Sequence, residues 1–265
     1  MLKTDIISLK RIKEKIFFWK KEKIFIDIIY EDISFFIVNK FSNFVVHPGI
    51  KNLYGTLLNA ILYYYPQNYS LPRAGIIHRL DKNTTGLLIV AKNLIAYNYF
   101  INLLKNREII REYDAIVFGQ IFFNNSINKP IKRHIRYHTK MMIHSGGKIA
   151  ITHYFVICIF KEFTHLRIKL ETGRTHQIRV HLESIQHPIL GDPLYNFNKK
   201  INIQKIKSCN SISLQKILKK CSRQILHASF LKFRHPITKE ILQFEKKPPK
   251  DFITIINSLY NNGYF

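Results

Sequence analysis

Residues 86–119 read GLLIVAKNLIAYNYFINLLKNREIIREYDAIVFG. Gly86–Ala91 is an unbroken apolar hexamer, the length and composition of a strand buried on both faces. Asn93 sits at an N-cap position, where its side-chain oxygen can accept a free N–H of the first helical turn. Leu94, Tyr97, Ile101 and Leu104 then fall on one face of a helix predicted to run to Arg107. Glu112–Gly119 returns to a strand pattern. This is a strand, a helix and a strand in close succession.

Working outward, Ile24–Tyr30 and Ile33–Asn39 are β-branched and aromatic, and Glu31-Asp32 between them suggests a hairpin. Leu57, Leu58, Ile61, Leu62 and Tyr65 have helical spacing, and Pro66 stops the run. Asn68–Arg73 is a polar loop. Downstream, Ala150–Ile159 and His165–Glu171 read as strands. Thr175 is the expected N-cap of a helix with Ile178, Leu182 and Ile185 on its apolar stripe. Lys199–Lys220, rich in lysine, is expected to be a solvated insertion with some helix at Leu214, Ile217 and Leu218. Ile225–Phe233 and Glu240–Phe244 form a closing hairpin around His235-Pro236. Strands and helices interleave without regular alternation, so the fold class is α+β. There is no internal repeat and no Gly/Ser linker. The expected organisation is a basic arm at 1–25, one body at 26–250 and a C-terminal helix or tail at 251–265.

The charge balance is lopsided. Among 265 residues, 42 are Lys or Arg and 17 are Asp or Glu, a net charge of +25. Such a surface repels itself unless it meets a polyanion, and nucleic acid is the first candidate. Part of the lysine excess matches the residue usage of an AT-rich genome. An anionic membrane surface would call for a concentrated basic amphipathic helix, which the sequence lacks. The longest apolar runs fall far short of the roughly 20 residues that span a bilayer. Lys20–Lys23 interrupts any secretory signal. Cys158, Cys209 and Cys221 are widely spaced and fit neither a disulfide framework nor a zinc ribbon, which points to a reducing cytoplasm.

Two segments could carry chemistry. In His78-Arg79-Leu80-Asp81-Lys82-Asn83-Thr84-Thr85-Gly86 a carboxylate lies between two cations in a loop tethered to the buried strand. Flanking cations favour its charged form, which can act as nucleophile or general base. The same arrangement also makes an ordinary loop salt bridge. In Glu171-Thr172-Gly173-Arg174-Thr175-His176-Gln177-Ile178-Arg179-Val180-His181, two arginines and two histidines gather at a helix start, where free N–H groups and guanidinium forks receive anions. A solvated basic face would have the same composition. The histidine spacing does not fit a helical metal site and no carboxylates accompany it, so no metal is expected. Tyr113 in Arg111-Glu112-Tyr113-Asp114-Ala115 reads by itself as a strand aromatic. His47 and His187, beside prolines, read as structural. No phosphate loop, dinucleotide glycine pattern, serine triad spacing or HExxH is present, which argues against NTP hydrolysis, hydride transfer and zinc protease chemistry.

Taken together and in order, the segments resemble the RluA/RluD family of RNA pseudouridine synthases. The match runs from about Ile24 to Pro249. It includes Ile29-Tyr30-Glu31-Asp32, Val38-Asn39-Lys40, Val45-Val46-His47-Pro48-Gly49, HRLDKNTTG, REYDA, GRTHQIRVHLESIQHPILGDPLY and LHASFLKFRHPIT. Pro72–Ile76, Thr84-Thr85-Gly86, Arg107-Glu108-Ile109, Arg133-His134 and Ala150–Tyr154 lean towards the RluD branch, which acts on large-subunit (23S) ribosomal RNA. Members of that branch usually carry an N-terminal S4 domain, for which 1–25 is too short. The basic arm is its candidate remnant.

The resemblance implies a catalytic fold built on a mixed, mostly antiparallel sheet. It also implies cofactor-free isomerisation: the N1–C1′ bond of uridine breaks, the uracil turns, and it rejoins through C5. Asp81 matches the catalytic aspartate that attacks or deprotonates at the ribose. Tyr113 matches the tyrosine that stacks on the base, and Arg179 the partner of the aspartate. Arg79 matches the residue that fills the stack when a uridine flips out, and a plain phosphate contact is the alternative. His78, Lys82, Arg174 and His176 are expected to line the RNA groove. The implied partner is large-subunit ribosomal RNA or a pre-ribosomal particle, met by a cytoplasmic monomer. Other rRNA or tRNA uridines, or binding without modification, are the alternatives.

Overall fold

A computed structural model describes residues 19–49, 52–196, 202–204, 206, 209 and 211–261. Most of the basic arm therefore lies outside the described residues. Strands β1 (Asp27–Glu31) and β2 (Phe35–Lys40) form the expected antiparallel hairpin. Helix α1 (Leu57–Tyr64) begins at Thr56, whose hydroxyl accepts from the Asn59 N–H at 3.4 Å while the Asn59 side chain accepts from the Thr56 N–H at 3.1 Å. β3 (Thr85–Ala91) is buried along its whole length.

The Asn93 side chain accepts from the Ala96 N–H at 2.9 Å and starts α2 (Leu94–Lys105). This helix stops short of Arg107, which takes a left-handed φ of 62°. β4 (Ile110–Phe118), β5 (Asn125–Asn128), β6 (Ile131–Arg133), β7 (Met141–Ile143), β8 (Ile151–Ile159) and β9 (Phe163–Leu170) follow. The chain closes with α3 (Gln177–Ser184), α4 (Ile212–Lys219), β10 (Leu226–Arg234), β11 (Ile241–Glu245) and α5 (Lys250–Asn261).

The main sheet runs β1-β2-β3-β10-β4-β9-β8-β5, with β11 added to β10, and β6–β7 make a separate ribbon. Its pairs are antiparallel except β3 with β10. This is the mixed, mostly antiparallel α+β arrangement expected from the sequence. The parallel pair is brief, joining Thr85 and Gly86 to His227 and Ala228 before β11 takes over that edge of β10. Gly86 is required there. Its φ is +112°, and a Cβ would lie 2.2 Å from the Ala228 carbonyl oxygen.

Alternating side chains divide the packing between two faces. Phe36, Val38, Leu88, Val90, Tyr113 and Ala115 point to the face covered by α1 and α3. On the opposite face, Phe35, Ile37, Leu87 and Ile89 pack on Ala96, Phe100 and Leu103 of α2. Further along that same face, Ile116 and Phe118 meet Leu214 and Leu218 of α4 and Phe252, Ile255 and Leu259 of α5. Each such fully buried side chain contributes about 1.5–3 kcal/mol.

Two expectations need correction. Residues 212–219 are helical but not solvated, because Leu214 and Leu218 are buried against α5 and the sheet. Lysines on the outward turns of an amphipathic helix had masked that stripe. Nor does Thr175 cap α3. The N-cap is His176, in left-handed backbone (φ 55°) with no side-chain cap bond. The loop is held instead by the buried Gln177 side chain. Its oxygen accepts from the Thr172 hydroxyl and the Arg174 N–H, while its amide donates to Ile151 O and Thr152 Oγ1.

Candidate active site

Asp81 stands in a loop whose backbone is tied down on both sides. The Lys40 ammonium, fully buried at the end of β2, donates to the carbonyls of Phe41, Phe44 and Lys82 at 2.9–3.0 Å. Arg223 reaches the Asn83 carbonyl at 3.2 Å and is itself gripped by both oxygens of Asp251 at the start of α5. Gln224 donates to the Thr84 hydroxyl. Burial pulls the Lys40 pKa down to about 7, against the opposing pull of the Asp81 carboxylate. The loop main chain is thus anchored by groups far away in sequence, while the Asp81 side chain is left facing a cavity.

Across that cavity the first turn of α3 carries Arg179, whose Nη1 donates to Asp81 Oδ2 at 2.9 Å. Nε and Nη2 of the same guanidinium donate to the two oxygens of Asp192 at 2.6 and 2.8 Å. Asp192 is buried and also accepts from the Leu194 and Tyr195 N–H groups. The Tyr195 ring lies under the guanidinium, 4.9 Å from Cζ to the ring centre. Burial opposes the Arg179 charge, but the Asp192 and Asp81 carboxylates more than offset it and its pKa is raised. One arginine therefore spans a structural carboxylate and an accessible one.

His176 completes the wall. The Tyr195 hydroxyl, kept protonated as burial raises its pKa to about 12, accepts from the Met141 N–H at 2.7 Å. The same hydroxyl is hydrogen-bonded to His176 Nδ1, 2.8 Å away. The other ring nitrogen, Nε2, lies 3.9 Å from Asp81 Oδ2. Burial lowers the His176 pKa, against the opposing pull of the Asp81 carboxylate.

Tyr113, on the inward face of β4, lines the same cavity and is 5% exposed. Burial raises its pKa, Arg111 works against that rise, and Asp81 adds to it. The cavity holds about 540 Å³. Among the described residues, seven arginines and lysines line it against two carboxylates, Asp81 and Glu171. That excess makes the cavity electrostatically suited to an anion.

Arg79, Lys82 and Arg174 are exposed, and Arg174 Nε also donates to the Ile149 carbonyl. His78 lies deeper. Its Nε2 accepts from the Ile89 N–H at 3.3 Å, and burial takes its pKa down to about 3. His187 Nδ1 donates to the Phe118 carbonyl. No group of three or more His, Cys, Asp or Glu among the described residues is placed to hold a metal ion. Asp192 and Tyr195 in GDPLY, Lys40 in Val38-Asn39-Lys40 and Arg111 in REYDA lay within quoted motifs but had no individual signal in the sequence.

A sequence model of RNA pseudouridylate synthases matches residues 34–184, more than half of the chain. The chain belongs to the RNA pseudouridylate synthase family. The large-subunit pseudouridine synthase D of Buchnera aphidicola subsp. Acyrthosiphon pisum (strain APS) is 49% identical over 231 residues, covering 87% of this chain and 72% of the relative. The enzyme of that name from Haemophilus ducreyi is 45% identical over 248 residues, covering 94% of this chain and 74% of the relative. Among solved structures, human RNA pseudouridylate synthase domain containing 1 is 26% identical with a TM-score of 0.60, covering 84% of each chain. The human protein of that title numbered 4 is 23% identical with a TM-score of 0.68 and shares the fold, covering 88% of this chain and 93% of its own. Asp81, Tyr113 and Arg179 of this synthase thus converge on one cationic cavity. No helix among its described residues is long and apolar enough to cross a membrane.

Proposed function

We propose that this synthase converts specific uridines of large-subunit (23S) ribosomal RNA to pseudouridine, free or in a pre-ribosomal particle, as a cytoplasmic monomer whose catalytic body spans 26–250. The observation that carries the reading is the Asp81 carboxylate, held 2.9 Å from Arg179 and open to a cavity rich in positive charge. The name of the relatives at 45–49% identity, large-subunit pseudouridine synthase D, favours that RNA over tRNA.

In this reading Asp81 attacks or deprotonates at the ribose of a flipped-out uridine. Arg179 aims the carboxylate and pairs with it in a cavity that the bound base closes to water. Tyr113 stacks on the uracil and takes the C5 proton. Arg79 replaces the departed base in the stack, a step that offsets part of the few kcal/mol that flipping costs. Lys82 and Arg174, at the rim, meet phosphates, and His78 and His176 wall the groove. The substrate and product are isomers, so no group donor or redox partner enters the reaction.

Mapping pseudouridines in total rRNA from cells with and without the gene tests this directly. The reading expects at least one large-subunit site to disappear with the gene. Loss confined to tRNA would move the substrate, and unchanged rRNA and tRNA together with intact RNA binding would leave a non-catalytic assembly factor.

A further inference from the structure

Arg111 is a buried cation without a counter-charge. It is 6% exposed, and among the described residues it forms no ion pair. Its Nε has no hydrogen-bond partner, and Nη2 has only a long 3.4 Å contact to the Glu171 carbonyl. The guanidinium is pressed under the loop before α3, where a Cβ on Gly173 would come within 2.8 Å of Nη1. It lines the cavity on the same face of β4 as Tyr113, two residues on. Leaving a buried charge unpaired is costly, and the fold makes no provision for it. Something that enters the cavity should.

We propose that Arg111 receives the electron-rich carbonyl oxygens of the uracil ring while that ring is detached from its sugar. This rests on the pseudouridine synthase reading above. When the N1–C1′ bond breaks, its electron pair stays on the uracil, spread over N1, O2 and O4. The ring returns a pair to C1′ through C5, the C5 proton leaves, and N1 takes one up. The ring carries the same transient charge whether Asp81 bonds to the sugar or removes its proton. A preorganised guanidinium in a site that excludes water stabilises such charge most where it develops. Phosphate is the competing anion. It is met more simply by exposed Arg79, Lys82 and Arg174 at the rim, whereas Arg111 lies beside the tyrosine assigned to the base.

Arg111→Met and Arg111→Lys separate these roles on an rRNA hairpin transcript. Arg111→Met should lower the single-turnover rate about 100-fold or more. Transcript Kd should stay within about 3-fold and its salt slope should be unchanged. Thermal stability should hold or rise, because an uncompensated charge has been removed, and Arg111→Lys should recover part of the rate. A Kd weakened about tenfold with a salt slope smaller by about one, at an unchanged saturating rate, would assign Arg111 to phosphate instead. A large fall in Tm, or failure of Arg111→Met to fold, would make it a structural residue and overturn the proposal. Wild-type protein run alongside distinguishes these outcomes from failure of the functional reading, since it would then form no pseudouridine at all.

Discussion

On the outward face of β4, Arg167 of the neighbouring strand lies 3.3 Å from Glu112 and 3.2 Å from Asp114, and His165 adds a third contact to Asp114 at 3.2 Å. On the inward face, Arg111 meets no carboxylate among the described residues and Tyr113 fronts an open cavity. The two faces share one backbone and alternate residue by residue, yet they treat charge in opposite ways. Outside, Glu112 and Asp114 each meet a basic neighbour, and burial of Asp114 is more than offset by His165, Ser229 and Arg167, so its pKa is lowered. Inside, charge waits for a ligand. The same division runs through Arg179, which is locked to buried Asp192 by two bonds and reaches Asp81 with one. Pairing marks what holds the molecule together, and deliberate want of pairing marks what it binds.

Asp192→Asn attacks that boundary most strongly. It weakens the grip on Arg179, so the guanidinium no longer presents Nη1 to Asp81 at a fixed angle. Single-turnover pseudouridine formation should fall on the order of 100-fold, because small misplacements at a reacting group cost that much. A loss under tenfold would mean that α3 alone positions Arg179. Asp114→Asn probes the outward face and should reverse the pattern. Chemical denaturation should show about 2 kcal/mol less stability, from a buried charged network left short of a partner. The rate per folded molecule should stay within a few-fold. If activity collapsed while stability held, the two faces would not be separable.

Acid provides a third, smaller test. Burial lowers the pKa of His78 to about 3 and of His47 to about 4, and it lowers those of His181 and His227 as well. In the unfolded chain these rings take up protons near pH 6.5, and in the folded one they resist. The unfolded state therefore binds more protons between those values, and stability is lost as pH falls from about 6.5 towards 4. Asp114, with its lowered pKa, adds a loss only below about pH 4. A thermal scan series should show Tm dropping through the first window, with a shallower drop in His47→Gln. A flat profile from pH 7 to 4.5 would contradict the burial of these rings. Smallest of all, Arg167→Lys should cost under about 1 kcal/mol by denaturation, since the Arg167 side chain is 31% exposed and water screens the pair.

Sequence pattern exposed the frame where the signal was local. The apolar hexamer Gly86–Ala91 became a fully buried strand, and Asn93 capped α2 as its side chain allows. The hairpin of β10 and β11 matched its turn at His235-Pro236. Pattern failed where the deciding contact was distant. Lys40 reads as a polar strand end, and its role appears only when the Lys82 carbonyl, 42 residues away, comes to it. Asp192 is 13 residues from Arg179, across a turn that no helical or strand period connects. His176 takes left-handed backbone because Gln177, not a cap, organises its loop. Motif resemblance supplied Asp81, Tyr113 and Arg179, and the pairing of Arg179 with Asp81. It did not supply the anchoring that places them together.

Asp81→Asn is the most direct test of the account, with pseudouridine counted in an rRNA hairpin transcript under single-turnover conditions. The substitution keeps the shape of the side chain and removes the charge that Arg179 holds in the cavity. Formation of pseudouridine should become undetectable, while transcript Kd stays within a few-fold because the rim cations are untouched. An Asp81→Asn protein that still isomerises uridine at a rate near that of the wild type would contradict the central claim.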